Sequence, residues 1–258
     1  DPDPRSYNKS FKLLKKNKIR VNSGLLNFSI NNFYKSYFKS KENTLPFVTG
    51  KMAISKDFYT NNKKKIWITN RFSRGRVHLM RNNHDCILTS INTVIIDNPR
   101  LTCRIGGLEQ NSPTRVILDK KLKIPISSNI VKSTKKCPTI VFFNKSNAKK
   151  ISTLKNLKIK LIKTSVDKYG NFDLENILMK VKSLGFSRVF LESGLKLTTS
   201  FLNKDLVDDF QLFISGKKLG QDGNNSFKKN IKLFLKNKKF ITEKVNLFDD
   251  KLILFKLK

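Results

Sequence analysis

The stretch from His84 to Arg104 holds the residue types best able to bind and orient a polar ligand. His84-Asp85-Cys86-Ile87-Leu88-Thr89-Ser90-Ile91-Asn92-Thr93 runs into Val94-Ile95-Ile96 and then Asp97-Asn98-Pro99-Arg100-Leu101-Thr102-Cys103-Arg104. An apolar run that ends in hydroxyl residues and a polar loop predicts a buried strand opening into a binding loop. In open α/β sheets ligands sit beyond the carboxyl ends of strands, where small residues let backbone N–H groups approach a phosphate and a carboxylate can meet a hydroxyl. A second candidate is the turn Glu192-Ser193-Gly194 with the segment Leu195-Lys196-Leu197-Thr198-Thr199-Ser200 behind it. A strand, a Gly turn and a helix start expose unpaired N–H groups at the positive end of a helix dipole, which suits a cofactor pyrophosphate. Many ordinary strand-to-helix turns also contain Gly, so this turn alone fits either use.

Other chemistries lack their residues. Only His78 and His84 are present, in no H-x-E, H-E-x-x-H or Cys/His constellation, so no zinc or Ser/His site is expected. Neither G-x-x-x-x-G-K-[ST] nor G-x-G-x-x-G occurs, so a nucleotide must be held in another way. Cys86, Cys103 and Cys137 are far apart and odd in number, which reads as ordinary thiols in a reducing cytoplasm. No stretch approaches the roughly 20 apolar residues of a membrane helix. The 53 Lys+Arg against 19 Asp+Glu give a net charge of +34. The excess is mostly Lys, spread along the whole chain with abundant Asn, Ile and Phe, the residues of A/T-rich codons. It reads as solvated surface rather than the Arg-rich, aromatic-interleaved face of a specific nucleic-acid binder. A basic nucleic-acid-binding protein stays as a minor alternative.

These candidates need a scaffold, and the hydrophobic periods supply one. Asp1-Pro2-Asp3-Pro4-Arg5 is loop-like and reads as lying inside a longer polypeptide. Helices are expected around Phe11 and Leu14 and over Ile30 to Phe38, with a short strand at Ile19-Arg20-Val21 between them. The polar stretch Lys39 to Thr44 reads as a linker, with a domain boundary near residue 42. A strand from Phe47 to Ser55 follows, then an amphipathic helix from Thr69, as cap, to Asn82. Its Phe72, Val77, Leu79 and Met80 are available for burial, and its Arg71, Arg74, Arg76 and Arg81 for solvent or ligand. Strands are predicted at Asp85–Thr89, Arg115–Asp119, Thr139–Phe143, Lys158–Ile162 and Ser187–Glu192. Helices are predicted at Asp173–Val181 and Leu195–Leu202. Val207–Ile214, Lys239–Val245 and Lys251–Leu257 read as strands with hairpin character. Alternating strands and helices with late antiparallel strands predict an α/β fold.

Several of these stretches carry motifs. The 84–104 window is close to D-A-V-L-V-G-x-x-T-V-x-x-D-x-P-x-L-x-x-R. Lys51-Met52-Ala53-Ile54-Ser55-Lys56-Asp57 matches K-x-A-x-S-L-D-G with Phe58 in place of the Gly. Trp67-Ile68-Thr69 matches W-I-T, with Arg81 fourteen positions after the Trp. Arg115–Asp119 matches R-V-V-L-D, and Glu192 to Leu202 matches E-G/A-G-P-T-L-A-G-x-F-L, with Leu195 for the Pro and Thr199 for a Gly. Leu206–Asp209 and Gly216–Gly220 match L-V-D-E and P-K-L-L-G. In this order and spacing, from residue 46 to about 222, the chain resembles the reductase domain of the bifunctional riboflavin-biosynthesis deaminase-reductase. The first 44 residues resemble the tail of that family's deaminase domain, whose zinc motifs H-A-E and P-C-x-x-C do not occur here. Zinc and deaminase activity therefore belong to a part of such a protein outside this sequence.

The resemblance implies a division into 1–42, a deaminase-domain remnant with linker, and 43–258, the reductase domain. The implied fold is a dihydrofolate-reductase-like twisted mixed β-sheet flanked by helices, with antiparallel strands at its C-terminal end. The implied activity is NADPH-dependent 5-amino-6-(5-phosphoribosylamino)uracil reduction, in a cytoplasmic homodimer, with no membrane, metal or specific nucleic-acid partner. A dihydrofolate or other pteridine reductase of the same fold is the alternative. By the resemblance, Ala53, Trp67, Thr93, Asp97 and the turn Gly194 to Ser200 contact the cofactor, and Lys120 is placed for an adenosine 2′-phosphate. Lys65, Arg81, Leu101, Arg104 and Glu192 face the phosphorylated pyrimidine, with Arg81 and Arg104 forking onto its phosphate. Lys51 and Glu192 are the candidates for supplying the proton. Taken singly each has an ordinary use: Trp67 a core anchor, Asp97 a cap, Arg81 and Arg104 surface cations, Glu192 an ion-pair partner, Lys51 a stem lying on the sheet.

Overall fold

The computed structural model describes residues 5, 8–25, 27–42, 44–64, 66–229, 231, 239–242 and 245–258. Two helices, α1 (Lys9–Lys16) and α2 (Asn27–Glu42), precede the first strand, β1 (Phe47–Ile54), and the short β2 (Tyr59–Asn62). Next come α3 (Arg71–Asn82), β3 (Cys86–Ser90), α4 (Ile91–Asp97), β4 (Thr114–Leu118), α5 (Asn129–Lys132) and β5 (Thr139–Phe143). The chain continues through α6 (Ala148–Asn156), β6 (Lys160–Lys163), α7 (Leu174–Ser183), β7 (Arg188–Glu192), α8 (Leu195–Asn203) and β8 (Asp209–Ile214). It ends with β9 (Gly223–Ser226), β10 (Lys239–Thr242) and β11 (Lys251–Lys256).

Nine strands form one sheet in the order β10-β11-β8-β1-β7-β3-β4-β5-β6. The pairs from β8 across to β6 are all parallel, whereas β11 is antiparallel to both β8 and β10. This is the expected mixed sheet with antiparallel strands at its C-terminal end. The late strands β7 and β8 return to flank β1 on either side, so the carboxyl ends of β1, β7 and β3 meet where the strand order breaks. Such a break opens a crevice between the diverging loops.

Strands covered on both faces must be apolar throughout, and β5 is buried at every position. Val48, Met52 and Ile54 of β1 pack on one side with Ile177, Leu178 and Val181 of α7 and Phe201 of α8. Ile87, Ile117, Val141, Phe190 and Phe213 pack on the other side with Val77 and Met80 of α3. Side chains alternate along a strand, so Lys51 and Glu192 fall on the α3 side.

Four local expectations are revised. Ile19-Arg20-Val21 is not a strand, and its half-exposed Ile19 lies in an irregular segment. The polar stretch from Lys39 is helical as far as Glu42, because Lys35 and Lys39 one turn apart meet Asp209 and Asp208 at 2.9 and 2.6 Å. The α3 helix is capped by Asn70, not Thr69, and Phe72 is exposed rather than buried. Val94-Ile95-Ile96 lies in α4, which Ser90 caps, so the strand opens into a helix before it reaches the loop. Residues 1–4 and 243–244 lie outside the described residues.

Asp208 is 2% exposed and anchors β1, α2 and β8 together: it accepts from Val48 N–H at 2.7 Å and from Lys39 Nζ at 2.6 and 2.7 Å. Replacing one member of a buried charge pair leaves the other uncompensated. Asp208→Ala is therefore expected to lower the unfolding free energy by about 3 kcal/mol, because it unpairs both Lys39 and the Val48 N–H, and Lys39→Met by about 3 kcal/mol, because it leaves the buried Asp208 carboxylate without its counter-charge. Urea denaturation measures both, and a loss under about 1 kcal/mol for Asp208→Ala would contradict this role.

Candidate active site

Three charged side chains converge at the carboxyl ends of β1 and β7. Lys51 and Glu192 are direct neighbours in the parallel register, so their side chains leave the sheet on the same face. Arg81 reaches them from the last turn of α3. Its Nε donates to Glu192 Oε2 at 2.9 Å and its Nη2 to Oε1 at 2.8 Å, a planar fork on a carboxylate. Lys51 Nζ stands 3.9 Å from the same Oε1. All three side chains are at least four-fifths out of water.

Burial alone would push the Glu192 carboxyl up. The charges of Arg81 and Lys51, with the Arg81 hydrogen bonds, outweigh it and hold the carboxyl at about 2. Burial lowers the Lys51 ammonium below its ordinary range; Glu192 pulls it up and Arg81 pushes it down further. For Arg81 burial also opposes the charge, and Glu192 more than restores it. At neutral pH the cluster thus holds a permanent carboxylate, a permanent guanidinium and a lysine whose proton is loosened.

The segment 102–104 closes one side. Arg81 Nη1 donates to the Thr102 carbonyl at 3.0 Å and lies 3.4 Å from His78 Nδ1, and the Arg104 N–H donates to the same Nδ1 at 3.2 Å. Three of the N–H donors of Arg81 are therefore engaged inside the protein, and its fork faces Glu192 rather than open space. The Arg104 side chain is exposed; burial, then Arg81 and Arg100, depress its pKa. Next to it a cavity of about 600 Å³ is lined by Arg100, Thr102, Arg104, Lys132, Lys135 and Lys136, among others. Arg115, fully buried, donates to the Arg100 carbonyl at 3.2 Å and to the Ser133 hydroxyl at 2.7 Å, fixing the start of this segment against α5.

On the other side lies the start of α8. Among α3 to α8 this helix alone begins without a side-chain cap; Gly194 holds the cap position, so its first N–H groups have no capping side chain. A Cβ on Gly194 would stand 4.0 Å from Thr93 Oγ1, which brings α4 and the α8 turn into contact range. Leu195, where the motif has Pro, is the first helical residue, the position at which Pro is favoured for its fixed φ.

Several expected residues occupy different settings. Ala53 is half-buried near the end of β1, level with Phe213. Asp97 ends α4 and is exposed. Leu101 has φ +53° and its side chain lies in the core at 3% exposure. Trp67 is 74% exposed with the Arg74 guanidinium 4.9 Å over its ring, so it is not a core anchor. Lys120, just past β4, donates to the Gly170 carbonyl. Lys65 lies outside the described residues. His78 is a site residue that its type and placement in a helix did not single out. Its spacing of three from Arg81, which puts both on one helical face, was the available signal.

The model of the RibD C-terminal domain matches residues 46–248. The riboflavin biosynthesis protein RibD of Aquifex aeolicus is 32% identical over 223 residues, covering 86% of this chain and 60% of that protein. RibD of Bacillus amyloliquefaciens is 30% identical and covers 83% and 57%. The chain thus spans about 60% of the length of such relatives. Among solved structures, RibD of Acinetobacter baumannii superposes with a TM-score of 0.79 at 22% identity, covering 99% of this chain and 70% of that one, which bears on the fold. With the mixed sheet, the motifs in order and the model spanning most of the chain, this protein belongs to the RibD C-terminal domain family.

Proposed function

We propose that the chain is an NADPH-dependent 5-amino-6-(5-phosphoribosylamino)uracil reductase of riboflavin biosynthesis, turning a ribosylamino into a ribitylamino side chain. The observation that carries this reading is the buried Lys51–Glu192–Arg81 cluster, standing at the break in strand order between the open start of α8 and the cationic 100–104 segment. A site with one loosened proton, one anion-binding flank and one uncapped helix start matches a reaction that needs a proton, a phosphorylated substrate and a dinucleotide.

The residues fit such a cofactor. The N–H groups at the start of α8, with Lys196 to Ser200 behind them, suit its pyrophosphate; Thr93 of α4 borders that turn, and the resemblance assigns Asp97 to the same cofactor. Ala53 and Trp67 flank the expected nicotinamide region, and Lys120 offers a cation for a 2′-phosphate. Bound there, the dihydronicotinamide supplies a hydride to the substrate carbon.

The protein's part is to bind, orient and protonate. Hydride addition to an imine carbon leaves a nitrogen that must gain one proton. Glu192, ionised across the neutral range, has none to give. Lys51 Nζ holds the proton, and Glu192 holds Lys51 in place while Arg81 fixes the carboxylate. The exposed Arg104 meets the sugar phosphate, and the resemblance assigns Leu101 and Lys65 to the same substrate. Residues 1–42 are read as the tail of a deaminase-like domain, and the homodimer belongs to the same reading.

Lys51→Ala is expected to lower kcat by about 10²- to 10⁴-fold with NADPH binding retained, followed by NADPH absorbance. Unchanged turnover in the folded variant would refute the role of Lys51. In the wild type, kcat should fall as pH rises through the Lys51 pKa, below the ordinary 10.5. Glu192→Gln removes the group that pulls this pKa up, so the alkaline limb should move to lower pH; a limb moving upward would contradict the assignment. Offering phosphoribosylaminouracil and dihydrofolate side by side separates the reading from the pteridine alternative.

A further inference from the structure

We infer that His78 is a positioning residue for anion recognition: its Nδ1 lone pair holds the Arg104 backbone in the place from which that guanidinium receives a substrate phosphate. The inference rests on the reading of Arg104 given above.

Three polar groups approach His78 Nδ1: the Arg104 N–H at 3.2 Å, Arg81 Nη1 at 3.4 Å and the Thr102 carbonyl at 3.0 Å. A ring nitrogen either donates or accepts. If Nδ1 carried the proton it would serve only the Thr102 carbonyl, which already accepts from Arg81 Nη1 at 3.0 Å, and would leave the Arg104 N–H opposed by another N–H. With the proton on Nε2 the Nδ1 lone pair accepts from two donors, which offsets its 3.0 Å approach to the Thr102 carbonyl oxygen, itself already satisfied by Arg81 Nη1. Burial, together with the flanking Arg81 and Arg104 charges, disfavours the imidazolium, against the weaker pull of the Thr102 carbonyl and Glu192. The neutral Nε2–H tautomer is thus the state the surroundings select.

The consequence is mechanical. Arg104 has an exposed side chain, so little packing fixes where its guanidinium lies. Among the described residues its side chain hydrogen-bonds only to Thr102 Oγ1, at 3.5 Å. What fixes the residue is its backbone N–H on a helix-borne imidazole that also contacts Arg81. Through this nitrogen, beside the direct bond from Arg81 Nη1 to the Thr102 carbonyl, Arg104 is registered to the Arg81–Glu192 pair.

The test compares His78→Leu, which removes the acceptor, with His78→Asn, whose Oδ1 can stand where Nδ1 stands. Ribose 5-phosphate binding is measured by calorimetry, and steady-state constants with phosphoribosylaminouracil and NADPH. His78→Leu should weaken ribose 5-phosphate binding and raise KM for the phosphorylated substrate about tenfold, the scale of one lost hydrogen bond near a charge, with kcat and the NADPH KM within about twofold. His78→Asn should recover most of the loss. Should His78→Leu not fold, His78→Ser serves as the removing variant. Unchanged ribose 5-phosphate binding in the removing variant, an Asn variant as weak as Leu, or parallel losses in kcat and NADPH KM would overturn the inference. If the wild type does not turn over phosphoribosylaminouracil yet ribose 5-phosphate binding follows the His78 pattern, the reductase reading fails and the role of His78 stands.

Discussion

A carboxylate drawn almost out of water beside a lysine on the next strand must be paired, and that requirement organises this molecule. The parallel register puts Glu192 level with Lys51, and α3 brings Arg81 onto the carboxylate with both forks engaged. Losing Arg81 would leave a buried charge opposed only by a lysine 3.9 Å away. The position of α3 is in turn secured at its other end. There Asn70 caps the helix and donates to the Leu247 carbonyl, while Asp250 accepts from Asn70 N–H and Ser73 Oγ. The turn before β11 therefore helps to hold the helix that carries Arg81 and His78.

Much of this was legible in the chain and some was not, for physical reasons. The runs that became β3, β4, β5 and β7 are short, apolar and bounded by polar residues, which is what a doubly covered strand requires. Lys51 and Glu192 emerged as a pair only through motif resemblance, because register between strands well over a hundred residues apart leaves no local mark. Arg81 was open to solvent or ligand by its type. Only the fold shows that its helix turns it inward. His78 stands in no metal-binding spacing, and the contacts of its Nδ1 with Arg81 and the Arg104 N–H arise only from the fold. Phe58, where the motif has Gly, adopts φ +72°, the left-handed backbone that explains the preference for Gly there. The neighbouring Asp57 fastens this turn by accepting from Leu219 and Gly220 N–H groups.

The large positive charge finds no concentrated use in the core of the site. Lysines with structural partners, such as Lys35 and Lys39 on Asp209 and Asp208, tie α2 to the sheet. Arg115 is buried on carbonyl and hydroxyl oxygens, among them Ile130, Cys137, Arg100 and Ser133, so its charge is met by dipoles instead of a carboxylate. That arrangement binds α5 to the loop leading into Arg104.

Glu192 is an anion at the heart of the cluster across the neutral range, and the rest of the site depends on it. Titration of carboxyl-labelled glutamate by carbon NMR, with Glu192→Gln to assign the signal, measures this directly. The expected result is a carboxylate that titrates only at about 2. A Glu192 signal that titrates at or above the ordinary glutamate value near 4.5 would contradict it.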